Sequence, residues 1–129
     1  MNQLIKLILG TCLIAILNPV DTYAQNPELN DSANEKLISA AREIMNNAGT
    51  CALITLDDQS IPMVRTMDPF PPESDFSVWF GTKSESRKVS QIKKNSTVTL
   101  YYQDVDASGY VVIHGKAQIV DDQGEKEKR

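Results

Sequence analysis

The hydrophobic pattern changes period twice along this 129-residue chain. From Leu7 to Leu17 it is a continuous apolar run, broken only by Gly10, Thr11 and Cys12. Further on, Leu37, Ile38, Ala41, Ile44, Met45 and Ala48 recur at helical spacing, which predicts one amphipathic helix of about four turns. Ser32, with Glu35 three residues later, forms a capping box that would open this helix, and Gly49 is placed to close it. After Gly49 the period falls to two. Strands are predicted over 51–56, 60–67, 76–80, 97–103 and 110–120, and a short helix over 85–94 turns Val89 and Ile92 inward. Pro62 marks the second of these strands as an edge or a strand start, because proline cannot donate to a ladder. Residues 68–75 carry three prolines and two aspartates and predict a long loop, with turns at 57–59 and 106–109. A helix, a hairpin, a strand, a short helix and a second hairpin predict a mainly β (α+β) fold, an antiparallel sheet with helices at its ends or a small barrel.

The apolar run near the start reads as an export leader. Lys6 supplies a positive residue ahead of it, Asn18-Pro19 ends it, and Thr22-Tyr23-Ala24 offers a small-x-small cleavage site. The run is short for a membrane span, and Leu9-Gly10-Thr11-Cys12 fits a lipoprotein signal poorly. The expected organisation is a signal peptide over 1–24, a polar leader over 25–31 and one domain over 32–129, with an exported protein as the result. Asp121-Asp122-Gln123-Gly124 then opens a further helical pattern that reaches no apolar position by Arg129. This leaves either a solvated tail or an incomplete C-terminus.

Cleavage at Ala24 would leave one cysteine, Cys51, which cannot form an internal disulfide. It sits in a buried-strand pattern and reads as a core thiol. His114, in Val111-Val112-Ile113-His114-Gly115-Lys116-Ala117, has no cysteine or carboxylate at ligand spacing, so no metal site is expected. The aspartate pairs 57–58, 104/106 and 121–122 fall in turns, where aspartate is favoured for backbone reasons. No acid–base work is assigned to them.

Charge directs attention to one stretch. The net charge is −4 and the sequence pI about 4.9, which argues against a nucleic-acid partner. Yet "GTKSESRKVSQIKKN" (81–95) gathers basic residues at the start of the short helix. With Ser84 as N-cap, the first turn would present free N–H groups, the Ser86 hydroxyl, Arg87 and Lys88. Cations there oppose the helix dipole by roughly 0.3–1 kcal/mol each, so a bound anion would compensate. The alternative is a solvated face on which both pair with Glu85 or Glu125. Arg65, a charge within the apolar strand over 60–67, strengthens the anion reading if that strand neighbours the one over 76–80.

Arg65, "FGTKSESRKVSQIKKNSTVTLYY" (80–102) and "VVIHGKA" (111–117) resemble the pyridoxamine 5′-phosphate oxidase-like FMN-binding split-barrel superfamily, and most of all its general stress protein branch. The resemblance covers residues 34–124. It implies a split β-barrel working as a homodimer with FMN between subunits. Arg65 and Lys88 would hold the FMN phosphate with Arg87 and Ser86 in support; Thr82 would sit near the flavin, and the backbone from Arg65 through Thr66 and Met67 to Asp68 along the ring edge. Departures from the oxidases themselves stand at Phe70, where they carry a substrate-binding lysine, and at Tyr110, where they carry a flavin-contacting glutamine. Their C-terminal arginine and histidine elements would lie beyond Arg129. Vitamin B6 oxidation is therefore not expected. A flavin-dependent oxidoreductase of unassigned substrate is the leading expectation. A non-catalytic flavin-binding module, or the same fold holding haem or a deazaflavin, is the alternative.

Overall fold

The computed structural model describes residues 2–8, 27–121 and 124. Six strands and two helices follow in the order β1 (Asn2–Ile8), α1 (Pro27–Asn47), β2 (Cys51–Leu56), β3 (Pro62–Met67), β4 (Val78–Lys83), α2 (Arg87–Lys94), β5 (Thr97–Gln103) and β6 (Tyr110–Val120). The strands form one antiparallel sheet in the order β3-β2-β5-β6-β1-β4. The sheet is a curled half-barrel, the split-barrel α+β fold expected from the sequence.

Alternation in β2 and β5 sets the core. Cys51, Leu53, Val98, Leu100 and Tyr102 point inward and meet Val78, Phe80, Ile92 and Ile113 in one apolar cluster. The opposite face is open. Residues Thr66, Ala52, Tyr101 and Val112 stand in one cross-strand row and Val64, Ile54, Thr99 and His114 in the next. Val64, Tyr110 and Val112 are exposed there, and Tyr101 stacks on Tyr110 with ring centroids 5.9 Å apart.

Several expectations hold: β2, β5 and β6 fall on the predicted spans, Pro62 begins an edge strand, and Val89 and Ile92 are the buried residues of α2. Others need correction. Helix α1 begins at Pro27, five residues before the capping box, and proline's fixed φ suits a first helical turn. Among its described side chains, those of the C-terminal half pack: Met45 is buried and Ile44 and Ala48 lie against the core, whereas Leu37 and Ile38 face solvent. Gly49 ends the helix at φ +67°, a left-handed value that costs glycine nothing. Strand β4 is displaced from 76–80 to Val78–Lys83, so Gly81-Thr82 continues the strand and does not turn. Its partner explains the shift: β1 pairs with β4 from Leu7↔Val78 to Asn2↔Lys83.

That partner has no counterpart among the predicted strands. Asn2–Ile8, at the front of the expected leader, is a strand between β4 and β6, with Ile5 and Leu7 in the core. The rest of the apolar run, the cleavage point at Ala24 and the tail after Gly124 lie outside the described residues. Among the described residues no helix is long and apolar enough to cross a membrane.

Strands β3 and β4 are opposite edges of the sheet and do not form the ladder that would have brought Arg65 to Gly81-Thr82. Curling brings the edges together instead. Pro69 bridges Phe80, and the Phe70 N–H donates to the Trp79 carbonyl at 2.9 Å. The proline-rich loop between them is pinned by Arg42, which donates to the carbonyls of Glu73 (3.0 Å) and Ser74 (2.6 Å) and lies over the Phe76 ring.

Candidate functional site

The barrel interior contains a polar corner where β2, β3 and α2 meet. Thr55 points inward by the same alternation that buries Cys51 and Leu53, and its residue is fully buried. A buried hydroxyl needs partners, and Thr55 has two. It accepts from Arg65 Nη1 at 2.7 Å and donates to Gln91 Oε1 at 2.7 Å. Arg65 Nη2 also donates to Gln91 Oε1, at 2.9 Å. The three side chains close a triangle that fixes the guanidinium while leaving some of its five donors unused.

A second polar group lies at the end of β4. Lys88 Nζ donates to Thr82 Oγ1 at 3.1 Å, and the Thr82 and Ser86 hydroxyls are 3.2 Å apart. Ser86, not Ser84, is the N-cap of α2, and its side chain caps no helix N–H because it is engaged with Thr82. Arg87 and Lys88 are thus the first two helical residues, and their N–H groups have no intrahelical acceptor.

Electrostatics join the two groups. Burial lowers the pKa of Arg65, and the nearby Arg87 lowers it further; burial lowers that of Lys88, and Arg65 lowers it further. Among the described residues none of the three cations makes an ion pair. Helix α2 has no acidic residue in its first turn. The partly buried Arg65 and Lys88, with the exposed Arg87 beside them at the start of α2, are an arrangement that an anion relieves. Lys88 turns inward to Thr82, whereas Arg87 is exposed, as the solvated alternative has it, and Glu125 lies outside the described residues.

The structure brings together Arg65, Thr82, Ser86, Arg87 and Lys88. The other two residues expected at the site, Thr66 and Met67, enter that expectation through their backbone, and their side chains point elsewhere. Thr66 lies on the open face of the sheet and Met67 in the core. Sequence reasoning missed Thr55 and assigned no role to Gln91. Thr55 carried a usable signal, a hydroxyl at an inward position of an otherwise apolar strand. Gln91 lies four residues after Arg87, and hence on the same helix face, which was a weaker sign.

The remaining polar residues have local roles. His114 Nδ1 meets Thr99 Oγ1 at 2.9 Å on the exposed face. Asp57 accepts from the N–H groups of Gln59 and Ile61, Asp75 from that of Ser77 and Asp106 from that of Ser108. Burial pushes the Cys51 thiol up to about 11, which keeps it protonated and unreactive at neutral pH. No group of three or more histidine, cysteine or acidic residues that could hold a metal occurs among the described residues.

Fold and corner together define a split-barrel α+β protein with a cationic interior site. The chain belongs to the pyridoxamine 5′-phosphate oxidase-like family, whose model matches residues 36–129. No curated protein matches it. Among solved structures, the crystal structure of conserved hypothetical protein Rv2991 from Mycobacterium tuberculosis is similar in fold, with a TM-score of 0.59 at 22% identity. The match covers 67% of this chain and 55% of that one, so this chain spans little more than half the length of its structural neighbour.

Proposed function

We propose that the protein binds FMN, gripping its phosphate with Arg65, Lys88 and the first turn of α2, and that it serves as a flavin-dependent oxidoreductase. The observation that carries the reading is that three cations, Arg65, Arg87 and Lys88, which make no ion pair among the described residues, gather at the start of a helix. Family membership supplies the flavin; the corner supplies the reason for a phosphate. The residues fit such a group. Arg65 is held in one orientation by Thr55 and Gln91, Lys88 and the Thr82 and Ser86 hydroxyls offer further donors, and the Arg87 and Lys88 amides complete the set. A bound flavin would carry the electrons, and the chain's part is to hold and orient it.

The test compares FMN with riboflavin, which lacks the phosphate, by fluorescence quenching. The native chain should prefer FMN. Arg65→Ala and Lys88→Ala should each cost about 1.5–3 kcal/mol for a charge-assisted contact, some 10- to 150-fold in FMN affinity. Riboflavin binding should move little. Unchanged FMN affinity in both variants would sink the phosphate site, and a Soret band in the purified protein would point to haem.

A homodimer is part of the same proposal. The open sheet face exposes Val64, Tyr110 and Val112 beside Ile54, Ala52 and Tyr101, an apolar patch of the kind that pairs with a second copy. Val112→Asp should turn a dimer into a monomer in light scattering. A native chain that is already monomeric would refute this element.

A further inference from the structure

The cationic corner adjoins a groove. Arg87 and Gln91, both at the corner, also line a groove of about 320 Å³ between α2 and the turn that joins β2 to β3. Asp57, Asp58 and Gln59 line it from the turn, and Ser90 and Lys94 from the helix. Arg87, Ser90, Gln91 and Lys94 recur three and four residues apart and so share one face of α2. Arg87 and Lys94 stand about 10 Å apart along its axis, and Lys94 bridges to Asp58 at 2.6 Å. Gln91 joins groove and corner. Its Oε1 accepts from Thr55 and from Arg65, while its NH2 group makes no hydrogen bond among the described residues.

The lining decides what such a groove accepts. Small-molecule sites of about 300–1,000 Å³ are usually walled by apolar side chains. Here all seven lining residues are polar or charged, so an isoalloxazine ring would find no apolar wall. The charges are of both signs. Arg87, Lys94 and the Gln91 NH2 group donate, Asp57 and Asp58 accept, and Ser90 and Gln59 do both. A second phosphate would lie against the two carboxylates and be repelled. A run of hydroxyls, each a donor and an acceptor at once, matches both halves of the lining.

We infer that the groove holds a neutral polyol joined to the phosphate, so that the ligand class of the corner is a polyol monophosphate, of which FMN with its ribityl chain is one member. The inference rests on the phosphate reading of Arg65 and Lys88. It adds Ser90 and Gln59 as residues that determine specificity, and neither takes part in holding the phosphate. Both are exposed, so changing them leaves the core and the Thr55–Arg65–Gln91 triangle intact.

Calorimetric titration of the full chain with inorganic phosphate and with ribitol 5-phosphate tests it. The native chain should bind ribitol 5-phosphate roughly tenfold more tightly than phosphate, the worth of one or two added hydrogen bonds. Ser90→Trp fills the groove from an exposed helix position. It should bring ribitol 5-phosphate down to the affinity of phosphate while leaving phosphate itself unchanged. Ser90→Ala removes only the hydroxyl and should cost ribitol 5-phosphate about threefold. Equal affinity of the native chain for the two probes, or an unchanged preference in both variants, would overturn the groove and leave the corner standing. Failure of the native chain to bind either probe would overturn the corner, and the inference with it.

Discussion

Thr55 and Thr99 lie on neighbouring strands, and each hydrogen-bonds a basic side chain from the next strand across. Thr55 meets Arg65 inside the barrel; Thr99 meets His114 on the open face. The chemistry is alike and the consequences are not. Inside, Thr55 has no exposure, and Arg65 sits with Lys88 and Arg87 close enough for their charges to disfavour one another. Outside, His114 is exposed and water satisfies whatever Thr99 does not. The difference teaches that a polar pair becomes a candidate binding site through withdrawal from water, because only there are uncompensated charges costly enough to favour a ligand.

That contrast can be broken from its interior end first. Thr55→Val keeps the shape but removes both hydrogen bonds of the hydroxyl, leaving an Arg65 donor without its acceptor. Stability should fall by about 1–3 kcal/mol, read as a lower urea midpoint with an unchanged m-value. FMN affinity should fall with it, since the guanidinium loses its fixed plane. Arg65→Ala should separate the two effects. It weakens FMN binding as stated above, yet leaves the ligand-free chain nearly as stable, because the lost bonds are offset by relief of repulsion with Lys88 and Arg87. A ligand-free Arg65→Ala chain that unfolds as readily as Thr55→Val would show Arg65 to be structural.

The next effect is in pH. The Cys51 thiol stands at about 11 in the fold against an ordinary value of 9.0. The folded state therefore holds its proton longer than the unfolded state, and the associated stability, complete below pH 9, is lost as pH rises from 9 towards 11. Alkaline unfolding titrations of Cys51→Ala should show a shallower loss across that window, and the native thiol should resist iodoacetamide at pH 8. Smallest of all, His114→Ala should change stability by under about 0.5 kcal/mol and leave FMN affinity untouched. A large loss there would mean that the open face is not exposed in solution, which is the dimer reading seen from its other side.

Much of this was legible in the sequence. The two-residue period of β2, β5 and β6 fixed their faces, because burial of one side of a sheet leaves only one register. Arg87 and Lys88 at a helix start, and Arg65 in an apolar strand, were visible as charges out of place. Three features were not. The N-cap fell on Ser86 and not Ser84 because β4 runs on to Lys83 beside β1. Leu37 and Ile38 had helical spacing but face solvent, since the periodicity of a helix names a face without supplying what covers it. Asn2–Ile8 had the composition of a leader, and nothing local distinguishes an apolar leader from an apolar strand.

By itself, then, the sequence determined the elements whose signals are local: the strand alternation, the glycine stop at Gly49, the edge position of Pro62 and the identity of the cations. Tertiary structure decided what those elements meet. Arg65 and Lys88 belong to strands and helices whose only common ladder was expected between β3 and β4, and that ladder is absent. They converge because the sheet curls until its two edges touch at Pro69 and Phe80. Curl is the accumulated twist of six paired strands, a property of the assembled sheet that no stretch of residues carries alone.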